Sequence, residues 1–489
     1  MPLPAARQLP LPPHRAVAES PLRGLDAVVL VFVVVGLVAS WAAVVIPTEN
    51  SVTIVDSEGK FVITQIKTPL YYGVHGLELG SVIAAGLLSI LRGRAGTLGT
   101  GVRAAFCVLV AAASIWAGIA YTAEEILSSN IFGGTGPFVW FTLVFVIAGV
   151  DRRLWNYIDP VIRTLAYLSA GLAVRALMFS EYHHYRGFSK YIMYTMLLVW
   201  LGGWALLTAS RLRGWRLLGR VALFLVMVFM AICSQSRSWI ILSCLLGVLF
   251  VLLRSRDQGS VLSGIRTLIM GGVAASAAVA LVYVAIPHTL NNSVNGIVAR
   301  IHEDTRSGQY RQFFSVVPVT DLFLGKGPKG TWYWKDLGEY QFFDNGYLWM
   351  LFVGGMPTLV CYVAIVVWPA IRSFYYQPRG ADAAAMYLVL LWALALTGLS
   401  TFTLPSVGIT SYLVSLWAGR CHSLLAERAG RQFAGARTAP KYVFPRVGGR
   451  AYQLNQCVIR AQERAWDHLL RADAQKYGGR REDRGFLHR

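Results

Sequence analysis

The stretch that decides the fold is Pro287–Asn345, PHTLNNSVNGIVARIHEDTRSGQYRQFFSVVPVTDLFLGKGPKGTWYWKDLGEYQFFDN, followed at once by Gly346–Trp368, GYLWMLFVGGMPTLVCYVAIVVW. The second part is apolar for as long as a helix needs to cross a bilayer core, about 20 residues. The first part mixes arginines, acids, aromatics and glycines, which no other connector between apolar runs does. One large polar loop, residues 287–345, therefore feeds a membrane helix, and this is where chemistry is expected.

Outward from that point the chain is mostly apolar. Its 489 residues have a mean hydropathy of +0.51 and 14% charged residues, against about 25% in soluble domains. Apolar runs fall near 25–46, 73–91, 103–122, 134–150, 158–180, 190–210, 219–235, 238–254, 266–286, 346–369, 384–403 and 406–424. The expected fold is all-α, a polytopic bundle of about twelve spanning helices. Residues 1–24 read as a disordered cytoplasmic tail, 25–286 as nine helices, 287–345 as the loop, 346–425 as three helices and 426–489 as a basic cytoplasmic tail.

The formal net charge of +20 belongs to this topology rather than to nucleic-acid binding. Basic residues collect in cytoplasmic connectors. Arg92–Arg103, Asp151–Asn156, Arg211–Arg220, Arg254–Arg266, Arg372–Arg379 and the two tails hold most of the lysines and arginines. Alternation then puts both termini in the cytoplasm and the large loop outside, in the periplasm if the host has two membranes. The six cysteines include no Cys-x-x-Cys and none lies in the loop, so neither a disulfide framework nor a zinc site is expected. The Pro- and Arg-rich N-terminus lacks the compact apolar core and cleavage site of a signal peptide. The tail segment YQLNQCVIRAQERAWDHLLRADAQKY is partly amphipathic and is open to two readings, a cytoplasmic helix or one lying on anionic lipid.

Three clusters meet the outer face. Ser234-Gln235-Ser236-Arg237-Ser238-Trp239 separates two apolar runs so closely that they must form a tight helical hairpin. Arg237 there either snorkels to water or binds an anion, for which its planar fork is well suited. The segment holding Arg300, His302, Glu303, Asp304, Arg306 and Arg311 reads as two short helices joined at Ser307-Gly308. Arg311 is the stronger candidate because it opens the run FFSVVPV, and Arg306 follows it. No second histidine stands at ligand spacing, so no metal is assigned. Gly325-Lys326-Gly327 makes a turn but lacks the Lys-Ser/Thr and helix of a phosphate loop. Asp344, at the start of a spanning helix, reads either as an N-cap or as a general base. Trp332, Tyr333, Trp334, Tyr340, Phe342 and Phe343 read equally as sugar-stacking walls or as an interfacial belt.

The order of these motifs resembles the O-antigen ligase and O-antigen polymerase superfamily of membrane glycosyltransferases. The positions that carry the resemblance are Ser236-Arg237, Ser307-Gly308 with Arg311, Gly325-Lys326-Gly327, Asp344-Asn345-Gly346-Tyr347-Leu348 and Gly354-Gly355. They cover roughly residues 230–370, and each is short and degenerate. The resemblance implies a glycan donor on undecaprenyl diphosphate, a glycan acceptor and no cofactor. It implies Arg237 and Arg311 on the diphosphate and Asp344 on the acceptor hydroxyl, with Ser236, Arg306, Lys326, Asn345, Tyr347 and Trp334 lining the substrate site. The ligases typically carry His where this chain has Asp344, which favours a polymerase of O-antigen, capsule or exopolysaccharide repeats over a ligase. Such an enzyme would sit in the inner membrane, beside a chain-length regulator or other export proteins.

A transporter, such as a lipid-linked oligosaccharide flippase, is the competing class. It should show repeated halves and charged or broken helices near the midplane. No repeat is visible, and the deep charges are Glu78, Arg163 and Arg175, with Glu78 and Arg175 a candidate pair.

Overall fold

The computed structural model describes residues 22, 24–46, 49–55, 61–122, 138–178, 184–185, 188–189, 191–234, 236–260, 262, 266, 269, 271, 273, 305–327, 330–335, 338–340, 345–399 and 408–438. The chain divides into a compact unit, Met1–Arg428, and a second one, Ala429–Arg489. The expected N-terminal tail, the run 266–286 and the amphipathic tail segment lie wholly or mostly outside the described residues.

Among the described residues eight helices are long and apolar enough to cross a membrane: Leu25–Val45, Pro69–Leu91, Thr100–Ile119, Trp155–Met178, Gly214–Cys233, Arg237–Gln258, Gly346–Phe374 and Ala381–Gly398. This is a helical membrane protein. Among the described residues three antiparallel hairpins accompany the helices, pairing Glu49–Val55 with Phe61–Lys67, His184–Tyr185 with Phe188–Ser189, and Trp332–Trp334 with Gly338–Tyr340.

Three further apolar runs take other forms. The run near 190–210 is a shorter apolar helix, Ile192–Leu207, with a π-turn at Leu198–Gly202. The run near 134–150 is broken into Phe138–Phe141, a 3-10 turn at Thr142–Val144, and Phe145–Gly149. These pieces are core. A Cβ on Gly149 would lie 2.4 Å from the Leu416 carbonyl oxygen, and one on Gly419 2.1 Å from that of Val146. Small residues thus let Phe145–Gly149 and the helix Ile409–Thr438 approach backbone to backbone. That helix holds the run near 406–424, buried from Ile409 to Leu424 apart from a few half-exposed positions. Beside it Trp204 stacks on Trp417 at 6.0 Å, and Trp200 meets Trp392 edge-on at 5.4 Å.

The helix ends carrying the basic connectors are joined by ion pairs. Asp26, opening the first helix, receives Arg92 at 2.8 Å and Arg153 at 2.8 Å, and Arg94 reaches Asp151 at 2.6 Å. Asp382, opening another, holds Arg152 at 2.9 Å and Arg420 at 2.7 Å. Arg256 donates to the Pro378 carbonyl, and Ser210 donates to Asp257 at 2.7 Å. The hydrogen-bonding Asp26 carboxylate pushes the Arg92 guanidinium pKa up, and Asp151 does the same for Arg153. Helix starts and helix ends alternate in this belt, as an up-and-down bundle requires, so the other termini of these helices point to the opposite end.

Asp382 makes the sharpest test of the belt. These side chains are half-buried, so breaking the pairs from one side costs less than the roughly 3 kcal/mol of a fully buried pair. Asp382→Asn strips Arg420 of its carboxylate, leaves Arg152 with Glu427 at 2.8 Å, and should lower the thermal midpoint of the detergent-solubilised protein by a few degrees. A midpoint equal to wild type would remove Asp382 from the forces holding that end together.

Candidate functional site

The site begins with a proline in a helix. Pro357 has no N–H and its ring displaces the carbonyl four residues earlier, that of Val353. Gly355 adopts φ 75° and ψ 176°, outside helical space. The helix Gly346–Phe374 is therefore broken near its first third, leaving carbonyls without helical donors. In an apolar setting such groups must find partners. Thr358 Oγ1 donates to the Gly354 oxygen at 2.6 Å. The others are met from the polar loop: Lys326 N–H donates to Phe352 O at 2.7 Å and Gly327 N–H to Val353 O at 3.0 Å.

The expected glycine turn is present, and its purpose is this docking. Gly325 and Gly327 have φ +85° and +82°, a region that disfavours side chains. A Cβ on Gly325 would stand 2.7 Å from the Gly355 nitrogen, and one on Gly355 2.6 Å from the Phe323 oxygen. A Cβ on Gly327 would strike the Trp116 ring at 2.7 Å. Trp116 thus walls the turn from the helix Thr100–Thr122, and nothing near it in sequence marks that role. Lys326 sends its ammonium back to the Thr331 carbonyl at 2.7 Å and over the Phe352 ring at 5.9 Å.

Aromatics extend the docking. Phe313, fully buried, meets Trp332 at 5.5 Å and Phe352 at 5.7 Å edge-on. Trp332 stacks on Trp334 at 6.0 Å and is itself buried, Trp334 is half-buried, and Tyr333 is exposed. Trp332 is thus core, which leaves Trp334 and Tyr333 as surface. Gln312 donates to the Tyr333 carbonyl at 3.4 Å. The helix bearing Phe313 runs unbroken from Thr305 to Val316, so Ser307-Gly308 is not the joint between two helices that the sequence suggested. The break comes at Val317, because Pro318 bars its predecessor from helical geometry. Arg311 lies on this helix and is exposed; the Arg306 side chain lies outside the described residues.

The helix cap falls on Asn345. Its Oδ1 accepts from Tyr347 N at 2.9 Å and Leu348 N at 3.1 Å, and its Nδ2 donates to the Thr397 carbonyl at 3.3 Å. Tyr347 donates its hydroxyl to the Ala393 carbonyl at 2.9 Å. Both bonds tie the start of this helix to the end of Ala381–Leu394 and its π-turn Ala395–Leu399. Asp344 lies outside the described residues, and the capping duty weighed for it belongs to its neighbour.

The tight hairpin between apolar runs is also present. One helix ends at Cys233 and the next opens at Arg237. Ser236 occupies the N-cap position yet makes no capping hydrogen bond, and Arg237 is exposed. A cation at a helix N-terminus opposes the helix dipole by roughly 0.3–1 kcal/mol. The helix Arg237–Gln258 also packs against Ala395–Leu399, the segment that receives Asn345. Arg237, Asn345 and the glycine turn therefore share the end of the bundle away from the ion-pair belt. Arg311 joins them through Phe313 and Phe352.

The deep charges fall elsewhere. Glu78, fully buried, meets His75 Nδ1 at 2.7 Å beside the buried Tyr412, where the sequence offered Arg175 as a partner. Arg163 pairs with Asp159 at 2.5 Å. No group of three or more metal-ligating side chains exists among the described residues. No family model, curated protein or solved structure matches the chain.

Gly325→Ala should dislodge the turn, since strain at this φ costs about 1–3 kcal/mol before the overlap with Gly355 is added. Amide exchange across 319–334 is expected to accelerate with little change in the belt. Gly308→Ala, whose Cβ enters open space, serves as control and should leave exchange as it is. Equal protection in Gly325→Ala and wild type would show that the turn is not wedged into the helix break.

Proposed function

We propose that this protein is a membrane glycosyltransferase that polymerises undecaprenyl-diphosphate-linked oligosaccharide repeats of O-antigen, capsule or exopolysaccharide type. The observation that carries the reading is the wedging of the Gly325–Gly327 turn into the break at Gly355. It joins the Gly325-Lys326-Gly327 and Gly354-Gly355 motifs on the helix that Asn345 caps, with exposed Arg237 and Arg311 at the same end. The proposal includes about twelve spans, a loop on the periplasmic side of the inner membrane, and both termini in the cytoplasm.

In the proposed reaction the acceptor sugar hydroxyl attacks the anomeric carbon of the donor. The bond from that carbon to the diphosphate oxygen breaks, and its electron pair leaves with the diphosphate. Arg237 and Arg311 stabilise the charge that grows there, a kind of contribution worth about 10²–10³-fold per donor group. Asp344 takes the hydroxyl proton, a step worth about 10²–10⁴-fold. The diphosphate already leaves readily, so the scheme calls for no cofactor. Tyr333 and Trp334 offer surfaces to sugar rings. Asp344 in place of the ligase-type His sets the polymerase ahead of a ligase.

The helix breaks give the transporter reading its one specific support, since discontinuous helices with open carbonyls bind ions in transporters. Here the Phe352 and Val353 carbonyls accept from Lys326 and Gly327, and the Thr397 carbonyl from Asn345. Occupied carbonyls favour a rigid scaffold, and so the enzyme.

Arg237→Ala, Arg311→Ala and Asp344→Ala should each reduce glycan extension by about 10²-fold or more while leaving membrane insertion intact. The assay is purified protein with a lipid-linked repeat and no nucleotide, read as glycan length on a gel. Wild-type lengths from all three variants would remove these residues from the site. Transport into vesicles by wild-type protein without extension would replace the enzyme with the transporter.

A further inference from the structure

At the end of the bundle that carries the ion-pair belt, one buried cation stands apart. Arg220, in the helix Gly214–Cys233, is 9% exposed and its buried Nη1 has no hydrogen-bond partner. Its guanidinium lies 5.3 Å above the Tyr167 ring of the neighbouring helix Trp155–Met178. A charged donor left unmet at such depth is costly, and the surrounding charges leave it unbalanced. Within electrostatic reach are Asp159 and Arg163. Asp159 is already engaged by Arg163 at 2.5 Å and by the Trp204 indole N–H at 2.8 Å. Among the described residues two guanidiniums thus face one carboxylate at this depth, an excess of one positive charge.

The sequence extends that excess toward water. Arg216 precedes Arg220 by one helical turn and so lies on the same face. Arg213, at the N-cap of the helix, lies one further turn out. Both are exposed. On other faces of the same helix Trp215 and Leu218 are exposed to 86% and 54%, and Tyr157 on the neighbouring helix to 46%, the mixture of aromatic and apolar side chains that suits a headgroup region. Gly219 lets the two helices pack closely, since a Cβ there would lie 3.3 Å from the Tyr167 hydroxyl. The result is a seam between two spanning helices that grades from exposed arginines to a buried one with an unmet donor.

We propose that this seam binds the phosphodiester headgroup of one anionic phospholipid from the leaflet at the belt end. The phosphate draws the Arg220 guanidinium toward it and accepts from Nη1, Arg216 on the same face holds the outer part of the headgroup, and an acyl chain lies against Tyr157. One phosphodiester supplies the negative charge that the buried part of the cluster lacks. Basic pockets between spanning helices hold anionic headgroups in this manner. The site lies at the opposite end of the bundle from Arg237 and Arg311 and does not rest on the proposed enzyme activity.

The test uses the full-length protein in detergent, titrated with phosphatidylglycerol, phosphatidylcholine or inorganic phosphate and followed by native mass spectrometry. One phosphatidylglycerol should remain bound to wild type under conditions that strip phosphatidylcholine. Arg220→Gln should retain it about five- to tenfold less, the effect of removing one arginine near a headgroup. Arg216→Gln, a surface change that leaves the core intact, should weaken retention in the same direction, and Arg372→Gln on another helix should not. Equal retention of the two lipids would overturn the proposal, as would wild-type retention by both Arg220→Gln and Arg216→Gln. Phosphate alone displacing the lipid at matching concentration would show a free-anion site and overturn the assignment to lipid.

Discussion

The fold of the polar segment depends on two hydrogen bonds between main chains. Pro357 and Gly355 interrupt a spanning helix and strip the Phe352 and Val353 carbonyls of their helical donors. In lipid an unmet carbonyl costs several kcal/mol. Water cannot supply partners within a packed apolar bundle, so another backbone must. The Lys326 and Gly327 amides do so, and they reach only because Gly325, Gly327 and Gly355 have no side chains at the contact. Loop and helix are thus obligate partners. The position of Phe313 against Phe352 and the reach of the Trp332–Trp334 strand follow from that lock.

The two ends of the bundle use charge differently. At the belt, Asp26, Asp151, Asp382 and Glu427 pair with Arg92, Arg94, Arg152, Arg153 and Arg420. That pairing costs side-chain freedom but fixes which helix ends are neighbours. At the other end Arg237, Arg311 and Lys326 are exposed, with Asp321 and Glu339 the acids among the described residues 305–345. Lys326 is committed to the Thr331 carbonyl, so it braces the turn rather than reaching outward. The arginines carry the field that an incoming anion would meet. The ion pairs build the scaffold, and exposed cations suit recognition of anions.

Much of this was legible where the chain's own chemistry is local. The hairpin between Cys233 and Arg237 follows from two apolar runs with too few residues between them to do anything else. The turn at Gly325-Lys326-Gly327 follows from glycine alone. Partners distant in sequence were not legible. Nothing near Gly325 says that it will meet Gly355, and nothing near Trp116 marks it as a wall. Gly308 looked like a joint because glycine weakens helices, yet Pro318, which forbids rather than weakens, sets the boundary. The run near 134–150 had enough apolar residues for a span. Its fate was set by Gly149 and Gly419, whose close approach draws a short, broken helix into the core.

The cap shows how one residue's geometry redistributes roles. Asp344 and Asn345 were equivalent in sequence as caps, since either side chain can accept from first-turn amides. Asn345 does more than an aspartate could there. Its oxygen takes two amides while its nitrogen donates to Thr397, and a carboxylate has no proton to give in that second direction. An amide is therefore required at this position: an aspartate here would keep the two first-turn amides but leave the Thr397 carbonyl without its donor, and the tie between the start of this helix and the turn Ala395–Leu399 would rest on the Tyr347 hydroxyl alone.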